Sequence, residues 1–294
     1  MARRRFHFCR SRSLCAGAGR RWKARIGSLI GGSVVRWTKN RRPHFLAGKD
    51  PSITSPGVVL LHGFLGFVRC GPIAYFRGVG DALRQGGVVP LVPEVPSTGT
   101  VAERAEALAR QLFRTDTSTF ALVAHSMGGL DARHLITYLD RDHRVKSLIT
   151  VGTPHRGTAV ATRLLESRAL VTGLIRRIGG PALRELTPQA READPIPDRA
   201  DVAYASYAGR RPIPELPLWL RPFGHAIAGD SDGLVPVDSA RWGTFRGVFR
   251  SDHVEFLGWS LGLPNPGAAR PFDHLAFWRR AASDAMEAAR GDTN

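Results

Sequence analysis

Phe120-Ala121-Leu122-Val123-Ala124-His125-Ser126-Met127-Gly128-Gly129 is the stretch on which the fold turns. Five apolar residues in a row are the mark of a strand buried on both faces, which needs helices above and below it. The residues from 127 to 139 then read as a helix. Ser126 sits at the joint. A side chain perched on so sharp a strand-to-helix turn forces its neighbours to be small, because the two backbones nearly touch. Ala124, Gly128 and Gly129 satisfy that demand. The helix start also aims backbone N–H groups and the positive end of the helix dipole at any negative charge that develops there. A small-x-Ser-x-Gly match alone recurs by chance; set between a buried strand and a helix, it is specific.

Working outward, the pattern repeats. Gly57-Val58-Val59-Leu60-Leu61, Val88-Val89-Pro90-Leu91-Val92 and the run 145–151 (VKSLITV) read as strands. Helical stretches at 75–85 and 100–113 lie between them, the second with Val101, Ala105, Leu108 and Leu112 on one face. Alternating strands and helices imply an α/β domain built on a mostly parallel, doubly wound sheet. The alternation lapses between Gly157 and about Pro222, where a helical run at 159–170, a Gly-Gly-Pro break at 179–181 and six prolines between 195 and 222 intervene. Residues 157–222 are therefore expected to be a helical cap or lid inserted over the sheet. Strands at 225–228 and 247–249 and a final helix over about 272–289 complete the domain.

Composition narrows the function classes. The 294 residues carry 42 Lys and Arg against 25 Asp and Glu, a net charge of +17. Fourteen of those cations fall in residues 1–50, where Asp50 is the only acid, so residues 51–294 are close to balanced. A nucleic-acid-binding domain would carry its charge on the folded body, and no nucleic-acid partner is expected. Cys9, Cys15 and Cys70 offer neither a disulfide framework nor metal-ligand spacing, and no run reaches the roughly 18 apolar residues of a membrane span. The basic arm reads as a disordered tail or a start assigned too far upstream, with an Arg-rich transit peptide or a weak signal core at 26–35 as alternatives. Its composition buries too little to offset the entropy of ordering, so it is expected to be dispensable for folding. A cytoplasmic or membrane-peripheral location is favoured, with secretion or organelle targeting as the alternatives.

A serine hydroxyl at neutral pH is a weak nucleophile and needs a base, an orienting acid and an oxyanion hole. The N–H of Met127, just after the serine, pairs naturally with the N–H of Phe64, just after His62-Gly63 at the end of the first strand. For the acid, Asp230 and Asp232 are two apart and point to opposite sides of an extended loop. Asp232 is preferred because Gly233 follows it and permits a sharp turn. For the base, His253 in Ser251-Asp252-His253-Val254-Glu255 sits in a loop after a strand, whereas His274 opens the final helix and is expected to cap or pack. His62 and His125 flank the site and are expected to orient loops, His155 to be a hydrogen-bonded structural residue, and His134 and His143 to lie on the surface. Trp219, Trp242, Trp259 and Trp278 are expected to pack in the core or lid.

The chain resembles the bacterial triacylglycerol lipase group of the α/β-hydrolases over roughly residues 56–287. The resemblance rests on His62-Gly63-Phe64-Leu65-Gly66, on 124–129, on Val151-Gly152-Thr153-Pro154-His155-Arg156-Gly157, on Asp232-Gly233-Leu234-Val235-Pro236, and on Asp252-His253-Val254-Glu255. It implies the α/β-hydrolase fold, Ser126 as nucleophile, Asp232 and His253 as the rest of a triad, and Phe64 and Met127 as oxyanion donors. It implies a lipid or small-ester substrate, contact with a membrane or lipid interface, and no cofactor. Secreted members of the group often hold a structural Ca²⁺ partly through an Asp just after the histidine; here Glu255 occupies that region and Trp259 stands further on, which disfavours the metal. A phospholipase or thioesterase of the same fold is the competing enzyme reading, and a catalytically silent binding protein the competing class. Sequence says less about substrate than about chemistry, because the lid and acyl groove set chain length.

Overall fold

The computed structural model describes residues 55–259 and 272–291; the basic arm and everything expected of it lie outside the described residues. Five parallel strands form the central sheet: β1 (Gly57–Leu61), β4 (Phe120–His125), β5 (Val145–Val151), β6 (Ala203–Gly209) and β7 (Thr244–Phe249), in that spatial order. A two-residue hairpin, β2 (Arg69–Cys70) with β3 (Ile73–Ala74), follows β1. The helices are α1 (Val79–Gln85), α2 (Val101–Leu112), α3 (Gly128–His134), α4 (Ala159–Glu166), α5 (Leu170–Glu185), α6 (Pro188–Ala193), α7 (Arg221–Gly224), α8 (Val237–Ala240) and α9 (His274–Arg290).

Side-chain alternation along the strands separates the two halves of the core. Val58, Leu60, Ala121 and Val123 pack with Phe277, Trp278 and the rest of the α9 face, together with Val79 and Leu83 of α1. Their neighbours Val59, Leu61, Phe120 and Leu122 face the other way, onto Leu108 and Leu112 of α2 and the Leu135–Ile136 turn that continues α3. Helix α2 starts where the Thr100–Glu103 capping box satisfies its free N–H groups.

Three elements differ from the sequence expectation. Of residues 88–92, only Leu91 pairs with the sheet, bridging Val59 on the side of β1 away from β4. Pro90 and Pro93 lack the N–H that a longer ladder needs. Residues 225–228 are not a strand: His225, Ala226 and Ile227 donate back to Arg221, Phe223 and Gly224, prolonging the turn of α7. Nor is 157–222 one insertion, because β6 lies inside it as a sheet strand between β5 and β7. Its residues, AYASYAG, form no apolar run, and prolines stand on either side of them. What covers the sheet comes in two parts, α4–α6 before β6 and the turns around α7 after it. The Gly-Gly-Pro run is a kink within α5, with Gly179 at φ −126° and Pro181 inside the helix.

One consequence positions the site. The Leu91 bridge falls on one side of β1 and β4 on the other, so successive connections leave these neighbours in opposite directions. The crevice at the carboxyl ends of β1 and β4 is the topological switch point where open α/β sheets bind ligands. It is where His62–Phe64 and Ser126 emerge.

Candidate active site

Ser126 follows β4 in the left-handed region, at φ 55°, unusual for a residue with a side chain and costing on the order of 1–3 kcal/mol. The cost is met by its surroundings: Ser126 N–H donates to Val151 O (2.9 Å), and its carbonyl accepts from Thr153 Oγ1 (2.7 Å) and Gly129 N–H (3.0 Å). The hydroxyl so presented lies 3.0 Å from His253 Nε2. On the other edge of that ring, Nδ1 lies 2.7 Å from Asp232 Oδ2. The other oxygen of Asp232 accepts from the N–H groups of Leu234 (2.9 Å) and Val235 (2.7 Å), and His253 N–H donates to the Asp232 carbonyl (2.9 Å). Gly233, at φ +93°, makes the turn that aims the carboxylate inward.

The structure thus brings Ser126, His253 and Asp232 into one hydrogen-bonded line and leaves the rivals outside it. Asp230 is ion-paired with Arg210 at the surface (3.0 Å), and His274 bonds the Arg77 carbonyl (2.9 Å) at the start of α9. The N–H groups of Phe64 and Met127 donate to no acceptor among the described residues, while the N–H of the next residue, Leu65, is taken by Ser97 O (2.7 Å). The Gly63 backbone runs tight against the serine: a Cβ there would stand 2.7 Å from Ser126 Cβ. Gly152 serves the same end behind the other partner, since a Cβ on it would lie 3.1 Å from Asp232 Oδ2.

Several supporting groups were not legible as such in the sequence. Arg104 is wholly buried and holds Asp131 Oδ2 (2.8 Å), Pro96 O (2.7 Å) and His62 O (2.7 Å), anchoring the chain just before Gly63. Burial keeps His62 neutral, lowering its pKa to about 4. His125 is likewise held well below the ordinary histidine range, by burial first and second by the repulsion it would meet from a protonated His253. His155 takes the structural role expected of it, bonding Thr150 Oγ1 (3.0 Å) and stacking on Trp242. Burial, and then the like charge of Glu255, pushes Asp252 up to about 6.

A cavity of about 550 Å³ opens over Ser126 and His253. Its walls are almost entirely apolar: Phe64 from the β1 loop, Leu164 of α4, Ile175 and Leu183 of α5, Trp219 and Leu234. Both covering segments contribute to these walls. The donor set fits calcium poorly. Arg211 grips Glu255 through both carboxylate oxygens (2.7 Å each), and Asp252 Oδ1 is committed to the N–H groups of Val254 and Glu255. Among the described residues no cluster of metal-ligating side chains forms, and no helix is long and apolar enough to cross a membrane.

Comparison with known proteins places the chain beside lipases, esterases and a thioesterase family. Residues 78–194 match the family model of palmitoyl protein thioesterase. Triacylglycerol lipase 2 of Saccharomyces cerevisiae is 30% identical over 210 residues, covering 65% of this chain and 64% of the yeast protein. A triacylglycerol lipase of Vibrio cholerae is 31% identical over 138 residues, 46% of this chain and 43% of that protein. The chain therefore spans less than two thirds of the length of these relatives. Among solved structures, a mature lipase of Bacillus licheniformis superposes with a TM-score of 0.59 at 21% identity, covering 71% of this chain and 89% of that one. A metagenomic carboxyl esterase gives 0.60 at 21% identity, covering 87% and 83%. At these identities the likeness is one of fold, the parallel sheet of the lipase and esterase α/β-hydrolases.

Proposed function

We propose that this lipase-like α/β-hydrolase cleaves carboxylic esters, acylglycerols first among them, through an acyl-enzyme on Ser126. The observation that carries the reading is the hydrogen-bonded line Ser126–His253–Asp232 at the floor of an apolar cavity. With its Nδ1–H given to Asp232, His253 presents a lone pair on Nε2 to the serine O–H. As Oγ attacks the ester carbonyl, Nε2 takes the proton, and Asp232 stabilises the imidazolium that results. The carbonyl oxygen becomes an oxyanion, which the N–H groups of Phe64 and Met127 receive. Collapse expels the alcohol, protonated by His253, and leaves the acyl group on Oγ. Water, deprotonated by the same nitrogen, then attacks the acyl-enzyme, and release of the carboxylic acid restores the serine.

The cavity supports an extended acyl chain as the group recognised. Burying one methylene contributes about 0.8 kcal/mol, so kcat/KM should rise about fourfold per added CH₂ until the groove is filled. The mouth supports approach to a lipid surface: Leu65, Ile73 and Trp219 line it and are each about two-fifths exposed, with Leu174 and Ile178 more so on the neighbouring turns of α5. The palmitoyl thioesterase match keeps one second reading alive, thioester cleavage with the same acyl half. Hydrolysis of p-nitrophenyl esters from acetate to palmitate, with triolein emulsion and palmitoyl-coenzyme A alongside, tests all three. Rising turnover to long chains that Ser126→Ala abolishes is the expected result. A profile falling beyond butyrate refutes the long-chain reading, preference for the thioester moves the substrate class, and no turnover at all returns the chain to a binding role.

A further inference from the structure

Behind the Ser126–His253 pair runs a second line of buried hydrogen bonds that the chemistry above does not use. Gly63 N–H donates to the Tyr75 hydroxyl (3.0 Å), which lies 2.8 Å from His125 Nδ1. His125 Nε2 lies 3.1 Å from the carbonyl oxygen of His253. The direction of each proton is forced. A backbone N–H can only donate and a carbonyl only accept, so the single O–H of Tyr75 goes to His125 Nδ1, and His125 carries its proton on Nε2. Neither group has another arrangement open to it. His125 is fully buried and Tyr75 nearly so, with the phenol packed among Phe67, Phe76, His62 and His125. Trp259 Nε1–H donates to the Tyr75 carbonyl (3.0 Å) and fixes its backbone as well. Burial keeps the imidazole neutral and the phenol protonated, preserving this sense.

We infer that Tyr75 and His125 are positioning residues, a rigid strut that sets the distance between the oxyanion loop and the general base. One end holds Gly63, whose neighbour Phe64 offers the oxyanion N–H. The other end holds the main chain of His253, whose N–H is already held by Asp232, so the ring is fixed from both sides of its own peptide. The loops at residues 63 and 253 are 190 positions apart in the sequence, and the Tyr75–His125 pair gives them a common reference. This inference rests on the ester-hydrolase reading of Ser126.

The test measures p-nitrophenyl butyrate hydrolysis and affinity for a soluble alkyl boronic acid, which forms a tetrahedral adduct on an active serine. Tyr75→Phe keeps the ring and removes the hydroxyl, leaving Gly63 N–H and His125 Nδ1 unpaired in the interior. It should lower kcat about 10- to 100-fold with KM within about twofold, because a donor or base displaced by a fraction of an ångström loses transition-state contact but not substrate. Boronate affinity should fall in parallel. His125→Ala should lose at least as much, and His125→Gln, whose amide N–H replaces that of Nε2, should recover several-fold over alanine. Should the histidine variants fail to fold, the comparison of kcat with boronate affinity in Tyr75→Phe still decides. A kcat within threefold of the unaltered chain in Tyr75→Phe, a kcat loss with unchanged boronate affinity, or a glutamine no better than alanine overturns the strut. Ser126→Ala separates the two readings: activity surviving that change removes the ester-hydrolase reading itself, whereas a dead Ser126→Ala beside a fully active Tyr75→Phe removes only the strut.

Discussion

Gly63→Ala tests the oxyanion geometry with a single methyl group. Gly63 does not occupy the left-handed region, so alanine can adopt its backbone and the perturbation is steric. The added carbon would stand 2.7 Å from Ser126 Cβ, 3.0 Å from Ser126 Oγ and 3.2 Å from the Tyr75 hydroxyl. Non-bonded carbons rest about 3.5–4.0 Å apart, so the loop must retreat by about 1 Å. The serine cannot move instead, since its main chain is tied to Val151 and Thr153. A misplacement of that size costs about 100-fold in a positioned reaction, or about 2.7 kcal/mol of transition-state binding. Overpacking should cost about 1–3 kcal/mol of stability, a Tm lower by several degrees in a domain of this size. The assay is kcat on p-nitrophenyl butyrate, normalised to serine reactive toward a phosphonate, beside a thermal melt. A kcat within threefold of the unaltered chain at an unchanged Tm would mean that Gly63 is not held against the serine, and the argument from close approach would fall.

Ser126→Ala, Asp232→Asn and His253→Ala should each lower kcat by roughly 10³-fold or more with little loss of stability, while Asp230→Asn and His274→Ala keep most activity; an inactive, folded His274→Ala beside an active His253→Ala would reverse the assignment of the base. Arg104→Met strips the buried Asp131 of its partner and should cost about 3–5 kcal/mol in urea unfolding, much of it recovered in the Arg104→Met, Asp131→Leu double variant; a single-variant loss under 1 kcal/mol refutes this. Asp252 titrates near 6 in the folded chain, above the roughly 3.9 of an unfolded carboxyl. Between those values the folded state binds the extra proton, so this group withdraws stability as pH rises from about 4 to 6. Asp252→Asn should remove that withdrawal, its stability relative to the parent improving by on the order of 2 kcal/mol across the window and staying level above it; parallel curves would show that Asp252 titrates normally.

The fold was legible where burial and helix periodicity left no alternative. β4 has every side chain buried, so the apolar run 120–124 is its necessary signature; β1 follows the same rule, and β5 keeps enough of it in Val145, Leu148, Ile149 and Val151 to read as a strand. β6 carries no such signature, for a physical reason. Its residues, Ala-Tyr-Ala-Ser-Tyr-Ala-Gly, are small or amphipathic, because Gly209 must let Phe256 and the Asp232 Cβ approach closely and Ser206 must bond the Trp242 carbonyl (2.7 Å). Small residues that serve a neighbouring site do not look like core. The residues at 225–228 erred the other way: His-Ala-Ile-Ala reads as extended, yet the preceding turn supplies carbonyls at Arg221, Phe223 and Gly224 that the chain closes upon. A local hydrogen bond outweighs a weak strand pattern.

The site divides along the same line. Ser126, Asp232 and His253 could be named from the chain because each stands at a forced joint: a strand-to-helix turn, an Asp-Gly turn and a loop after a strand. Residues that act through others have no such local mark. Tyr75 looks like one more aromatic before a helix, and only the fold brings it to His125, fifty positions on. Arg104 reads as a solvated cation on α2, yet it lies on the inner face, where its three acceptors come from residues 62, 96 and 131. Even His125, inside the decisive motif, shows in sequence only that a polar group ends β4. What makes it more than a spacer is that its two nitrogens face a hydroxyl and a carbonyl from segments far apart in the chain. A motif records what the turn itself requires; the partners that hold the turn in register are specified by the packing of the sheet that carries it.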